Sequence, residues 1–266
     1  MIINSHVHIS IFENNAKNLK ESFKLLKKNM ADNQIDYAIV IPDNIENSPE
    51  VADLEMAKKL IGGSDKFFLL GSPQIVQKGA SEIARYEELI KNKTIKGIKF
   101  FPGHDPYYPI DKRCLPYYEL CKKYNVPAVI HTGENSGDSE CSKWNDPKYI
   151  VKIAKKHPKL KIIIAHYYWP KMDYCYKTTK GITNIYFDIA TMADDEVVEM
   201  SGGIEKVRNI LKKTINDGNN KVIFGTDWPM CDTKKHLELI MSMNLSKNIE
   251  DKIFYKNAVE IYNLPL

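Results

Sequence analysis

A chain of 266 residues that is 43% hydrophobic and 27% charged carries enough apolar side chain for a sizeable core, which argues against disorder and for a soluble globular domain. Its formal charge of +4 comes from lysines scattered along amphipathic segments, such as Lys20, Lys24, Lys27 and Lys28. A solvated helix face accounts for them better than a nucleic-acid surface does. There is no run of about 18 apolar residues, and no basic stretch followed by a long apolar one at the N-terminus, so neither a membrane span nor secretion is expected.

In chain order, short apolar runs rich in β-formers fall at residues 2–7, 37–41, 67–71, 95–101, 128–131, 161–165, 184–189 and 221–225. Between them lie segments with helical spacing, for example Leu19, Phe23, Leu26 and Met30, or Ile83, Tyr86, Leu89 and Ile90. Strands alternating with helices predict a parallel sheet. Eight such units in about 250 residues fit one α/β domain over 1–266, a single (β/α)8 TIM barrel, better than an open doubly wound sheet. No Gly-x-Gly-x-x-Gly follows any of the runs, which removes the usual sign of a dinucleotide fold. Segments 133–146 and 167–182 are polar or rich in tyrosine and lysine, and both follow strands, where barrel enzymes carry substrate loops. Segment 249–262 reads as a closing helix packed outside the barrel. The five cysteines, Cys114, Cys121, Cys141, Cys175 and Cys231, are odd in number and dispersed. They are expected to be free thiols in a reducing cytoplasm.

The chemistry lies in where the histidines fall on this strand map. His6 and His8 are two residues apart at the end of the first run, so their side chains share one side. His131 ends the fifth run, His166 follows the sixth, and Asp227 follows the eighth. In a barrel all of these positions belong to the C-terminal, catalytic face. Imidazoles with a carboxylate suit Zn2+, or Mn2+ or another first-row divalent ion, better than Ca2+ or Mg2+. Such an ion polarises a carbonyl and activates water. Weaker candidates are His104, in the loop after the fourth run, and Arg113, either of which could touch substrate. Trp228, Trp169, Tyr107 and Tyr108 could line a pocket wall, and Glu134 could orient an imidazole. His157 and His236 read as structural.

NSHVH at 4–8, GIKFFP at 97–102, VIHTG at 129–133, the apolar run ending at His166, GTDWP at 225–229 and Asn257-Ala258 in the last segment together resemble the amidohydrolase superfamily. Within it they are similar to the amidohydrolase-2 branch, which includes aminocarboxymuconate-semialdehyde decarboxylase-like enzymes. The resemblance spans nearly the whole chain. It implies one ion held by His6, His8, His131 and Asp227, with His166 beside it as an acid/base or electrophilic group. It also allows a second arrangement, in which a carboxylated Lys99 bridges two ions, one on His6, His8 and Asp227 and the other on His131 and His166.

The leading expectation is hydrolysis of an amide, lactone or ester of a small molecule, with Asp227 shuttling the proton. Non-oxidative decarboxylation of a small unsaturated or aromatic acid is the alternative. It needs a cation for the substrate carboxylate, for which Lys99 and Arg113 are the candidates. A non-catalytic metal-binding barrel, with a filled coordination shell, is the third reading. A small-molecule partner is expected and neither nucleic acid nor membrane, with a homodimer as the common default for soluble enzymes.

Overall fold

β-Branched and aromatic runs bounded by glycine, proline and asparagine form the strands. In the computed structural model, which describes residues 1–219 and 221–266, the strands are β1 Ile3–Val7, β2 Tyr37–Val40, β3 Phe67–Leu69, β4 Ile98–Phe100, β5 Ala128–Ile130, β6 Ile162–Ile164, β7 Ile185–Asp188 and β8 Val222–Ile223. The helices are α1 Leu19–Asp32, α2 Leu54–Ile61, α3 Ile83–Lys91, α4 Leu115–Lys123, α5 Pro147–Lys156, α6 Met172–Thr179, α7 Asp195–Met200, α8 Ile204–Thr214, α9 Thr233–Met241, α10 Lys247–Asp251 and α11 Asn257–Tyr262. Several start on side-chain caps that satisfy an otherwise orphaned backbone N–H. Asn18 accepts from the Glu21 N–H, Asp53 from that of Met56 and Asp232 from that of Lys234.

The strands pair in parallel as β1-β2-β3 and as β4 through β8. Two seams join these sheets. On one side the Gly71 N–H donates to the Gly97 carbonyl at 2.9 Å and the Lys99 N–H to the Gly71 carbonyl at 2.7 Å. On the other the Ser5 N–H donates to the Phe224 carbonyl at 2.9 Å and the His8 N–H to the Trp228 carbonyl at 2.7 Å. With both seams bonded, the eight parallel strands close into the expected barrel.

Side chains alternate across each strand. Ala38 and Val40, Ile98 and Phe100, Ala128 and Ile130, and Ile162 and Ile164 pack outward against the helices. Ile39, Val129, Ile163 and Ile223 fill the interior. By the same alternation Lys99, between Ile98 and Phe100, and Asp188, next to outward-facing Phe187, point inward.

The closing segment divides between two layers. Ile253 and Phe254 pack in the outer core with the helices, as expected, whereas Ala258, Ile261, Tyr262 and Leu264 join the interior cluster with Ile3, Ile39, Val129, Ile163 and Ile223. The barrel end away from the histidines would otherwise leave that apolar layer open to water, and α11 covers it. Lys161 Nζ, at the start of β6, donates to the last carbonyls of α11 at Glu260 and Ile261, 3.1 Å each. Segment 167–182, expected as a loop, contains α6, whose buried Met172, Cys175 and Thr179 keep helical spacing among the tyrosines and lysines.

Candidate metal centre

The C-terminal strand ends converge on a cluster of imidazoles and carboxylates. His6 and His8 flank outward-facing Val7 at the end of β1, and both reach Asp227, in the turn after β8. His6 Nε2 and His8 Nε2 each lie 3.2 Å from Asp227 Oδ1. Donor atoms about 2.1 Å from a tetrahedral ion are roughly 3.4 Å apart, so each imidazole nitrogen already stands at about that spacing from the carboxylate oxygen. The three residues are also one of the groups of His, Asp, Glu or Cys side chains that the described residues gather tightly enough to hold a cation.

His6 is fully buried, and its other nitrogen, Nδ1, lies 2.8 Å from Asp188 Oδ2. Burial, and then the Lys99 ammonium, push its pKa below the usual imidazole value against the pull of Asp188. A neutral ring that gives its Nδ1 hydrogen to Asp188 keeps the Nε2 lone pair for an ion. Burial would raise the pKa of Asp227, but His166, His8 and His6 around it hold the carboxyl well below the ordinary range. Asp227 has φ +69, a region L residues rarely occupy, and its backbone N–H donates to the His6 carbonyl at 2.9 Å.

His166 follows β6 with φ +63. Its ring centroid is 4.8 Å from that of His6 and 4.8 Å from that of His131. Burial first lowers its pKa to about 3, against Asp227, and its Nδ1 is buried with no protein partner. An orphaned imidazole nitrogen in this cluster is what an ion or a ligand atom would satisfy. His131, pushed well below its ordinary pKa by burial and then by His104 and His166, stands beyond His166. Its Nε2 is 3.8 Å from Cys141 Sγ, and it joins neither of the two tight groups among the described residues, His6, His8 and Asp227, or His6, His166 and Asp188. The residues present thus fit a divalent ion best at His6, His8 and Asp227, with His131 and His166 on its flank.

Lys99 is buried on the barrel axis, its Nζ 3.3 Å from His6 Nε2. Burial lowers its pKa to about 8, opposed by Asp188 and Asp227. His104 comes to the site: its ring meets that of His131 edge-on, with centroids 4.3 Å apart, while its outer side is exposed. Arg113 does not; its guanidinium pairs with Asp111 at 2.8 Å and donates to the Val76 carbonyl at 3.4 Å. Trp228 is buried in the outer core and contributes its backbone to the barrel seam. Glu134 faces Lys171 at 3.6 Å rather than an imidazole. Tyr107 and Trp169 are buried, while Tyr108 lies tilted against Trp144 at the surface. His157 pairs with Glu119 and His236 packs on α9 against the Asp232 carbonyl.

Two residues of the site were not singled out from sequence. Asp188 carries a signal that could have found it, a carboxylate at an inward position near a strand end. Asn145 carries none. It lies in a polar loop, yet its side chain is fully buried and ties together the ends of β4 and β5.

The sequence profile of the amidohydrolase family matches residues 4–264, and the chain belongs to that family. No curated protein matches the sequence. Among solved structures, an uncharacterized TIM-barrel protein from Bordetella bronchiseptica superposes with a TM-score of 0.78 at 19% identity, covering 99% of this chain and 98% of that one. The probable 2-pyrone-4,6-dicarboxylic acid hydrolase of Acinetobacter baumannii gives 0.67 at 12% identity over 98% and 99% of the two chains. The 5-carboxyvanillate decarboxylase of Novosphingobium aromaticivorans, complexed with manganese, gives 0.66 at 13% identity over 99% and 96%. At these identities the likeness establishes the barrel.

Proposed function

We propose that this amidohydrolase-family barrel is a metal-dependent hydrolase that opens an amide, lactone or ester bond of a small molecule. The observation that carries the reading is the approach of His6 Nε2 and His8 Nε2 to the same oxygen of Asp227, 3.2 Å each. In this reading His6, His8 and Asp227 hold Zn2+ or another first-row divalent ion, with His131 completing the set. Such an ion supplies Lewis acidity and brings the pKa of water near neutrality.

The remaining work falls to the side chains. Asp227, whose carboxyl is held well below its ordinary range, starts each turnover able to accept a proton from the attacking water and return it to the leaving group. His166, neutral and with an orphaned Nδ1, can meet the charge that develops on the carbonyl oxygen. His104 faces the open side, where substrate would enter. The free thiols accord with a reducing cytoplasm, and among the described residues no helix is long and apolar enough to cross a membrane.

Replacing Asp227 by Asn should leave the fold and most bound metal in place while turnover on a lactone, ester or amide found by panel screening drops by about 10²-fold or more. Wild-type rates in that variant would remove the proton shuttle from the mechanism. One observation favours decarboxylation as a second reading. Lys99 sets an amine inside the cluster, 3.3 Å from His6 Nε2, where it could pair with a substrate carboxylate. Release of CO2 from a panel of unsaturated and aromatic acids, with no hydrolysis in the first screen, would decide for it.

A further inference from the structure

We propose that Asp188 is a positioning residue, which selects the Nδ1–H tautomer of His6 and anchors the backbone of His166, so that His6 Nε2 is presented to the ion. The ion itself belongs to the function proposed above; the tautomer does not depend on it. Asp188 ends β7 and is 1% exposed. Its two oxygens serve different strands. Oδ2 lies 2.8 Å from His6 Nδ1, at the end of β1. Oδ1 accepts from the His166 N–H, after β6, at 3.0 Å and from the Ala190 N–H at 3.2 Å.

An ionised carboxylate can only accept hydrogen bonds, so the hydrogen between Asp188 and His6 sits on Nδ1, and in the singly protonated ring that leaves the Nε2 lone pair free. On the opposite side of the ring Lys99 Nζ lies 3.3 Å from His6 Nε2, and an ammonium there can only donate, which matches a bare Nε2. His6 Nε2 and Asp227 Oδ1 then face each other at 3.2 Å as two acceptors, an arrangement that favours a cation between them. The second role concerns His166, which has φ +63 and is followed by Tyr167 and Tyr168 at φ +53 and +57. Three successive residues in a region that L side chains seldom adopt need tertiary contacts to hold them, and the bond to Asp188 fixes the first. Although Asp188 also forms a cation-sized group with His6 and His166, in this scheme it spends both oxygens on N–H groups and orients a ligand rather than serving as one.

The test has two parts. In metal-free wild-type protein labelled with ¹⁵N-histidine, long-range proton–nitrogen correlation reports the tautomer of His6, assigned by comparison with His6→Asn. An Nδ1–H ring supports the proposal, and an Nε2–H ring overturns it, whatever the protein binds. The second part measures Zn2+ affinity by competition with a chelator in Asp188→Asn and Asp188→Ala. Both should bind about 10- to 100-fold more weakly than wild type while keeping its far-UV circular dichroism. Asn should not rescue, since its amide has one acceptor oxygen for the two sides that need one. Affinities within about threefold of wild type in both variants would overturn the positioning role. Should the variants fail to fold, or the wild type bind no Zn2+, the tautomer decides alone; loss of Zn2+ binding in the wild type would count against the proposed function and not against the role of Asp188.

Discussion

Removal of the Asn145 side chain is a sharp test of how the site is held. Asn145 is fully buried. Its Oδ1 accepts from the Gly133 N–H at 2.9 Å, and its Nδ2 donates to the carbonyls of Pro102 and Gly133, 3.1 Å each. One amide thus ties the loop after β4, which carries His104, to the loop after β5, two residues beyond His131. Asn145→Ala strands one buried donor outright and takes a partner from two carbonyls. At about 1–3 kcal/mol for an unsatisfied buried group, with the carbonyls toward the low end, the loss should be about 2–4 kcal/mol. Asn145→Asp keeps the acceptor but turns a carboxylate oxygen toward two carbonyl oxygens, so it should be no more stable than the alanine variant. Urea unfolding reads this directly: at a slope of about 3 kcal/mol per molar, a loss of 3 kcal/mol moves the midpoint by about 1 M. A midpoint within about 0.2 M of wild type for either variant would refute the assignment of the loop junction to this amide.

Gly225→Ala would place a Cβ 2.9 Å from His6 Cβ; we expect a stability loss of about 1–3 kcal/mol together with weaker Zn2+ binding, and unchanged chelator competition would show that β1 yields without moving His6. Stripping the metal should abolish turnover, with Zn2+ or Mn2+ restoring it, and an ion at 1,000 times its Kd should add about 4 kcal/mol to folding; identical melting curves with and without metal would contradict this. Elemental analysis should find about one ion per chain with or without added bicarbonate, as expected for a single set of His and Asp ligands, whereas about two with bicarbonate would mean that Lys99 is carboxylated. Arg113→Ala should leave kcat/KM within about threefold, since its guanidinium is engaged by Asp111; a selective rise in KM would return it to the substrate site.

Much of the barrel was legible because its determinants are local. Short apolar runs rich in β-formers mark the strands, buried on both faces, and a residue at the C-terminal end of a barrel strand has its face decided by topology. This is why His6, His8, His131, His166 and Asp227, scattered over more than two hundred positions, could be placed on one face before any contact was known. Parity also explains Lys99, which must point inward if Ile98 and Phe100 point outward.

What the tertiary structure decided depends on partners distant in the chain. Asp188 reads as one more strand residue until β1 and β6 arrive beside it, and Asn145 as an ordinary loop asparagine until two loops close around its amide. Arg113 had the right charge and loop, but Asp111, two residues away, takes its guanidinium. The apolar face of 249–262 was evident from spacing, yet which end or side of the barrel it covers is settled only by where the exposed apolar layer lies. Periodicity says that a side chain will be buried; long-range packing says against what, and hydrogen-bond partners follow from that second choice.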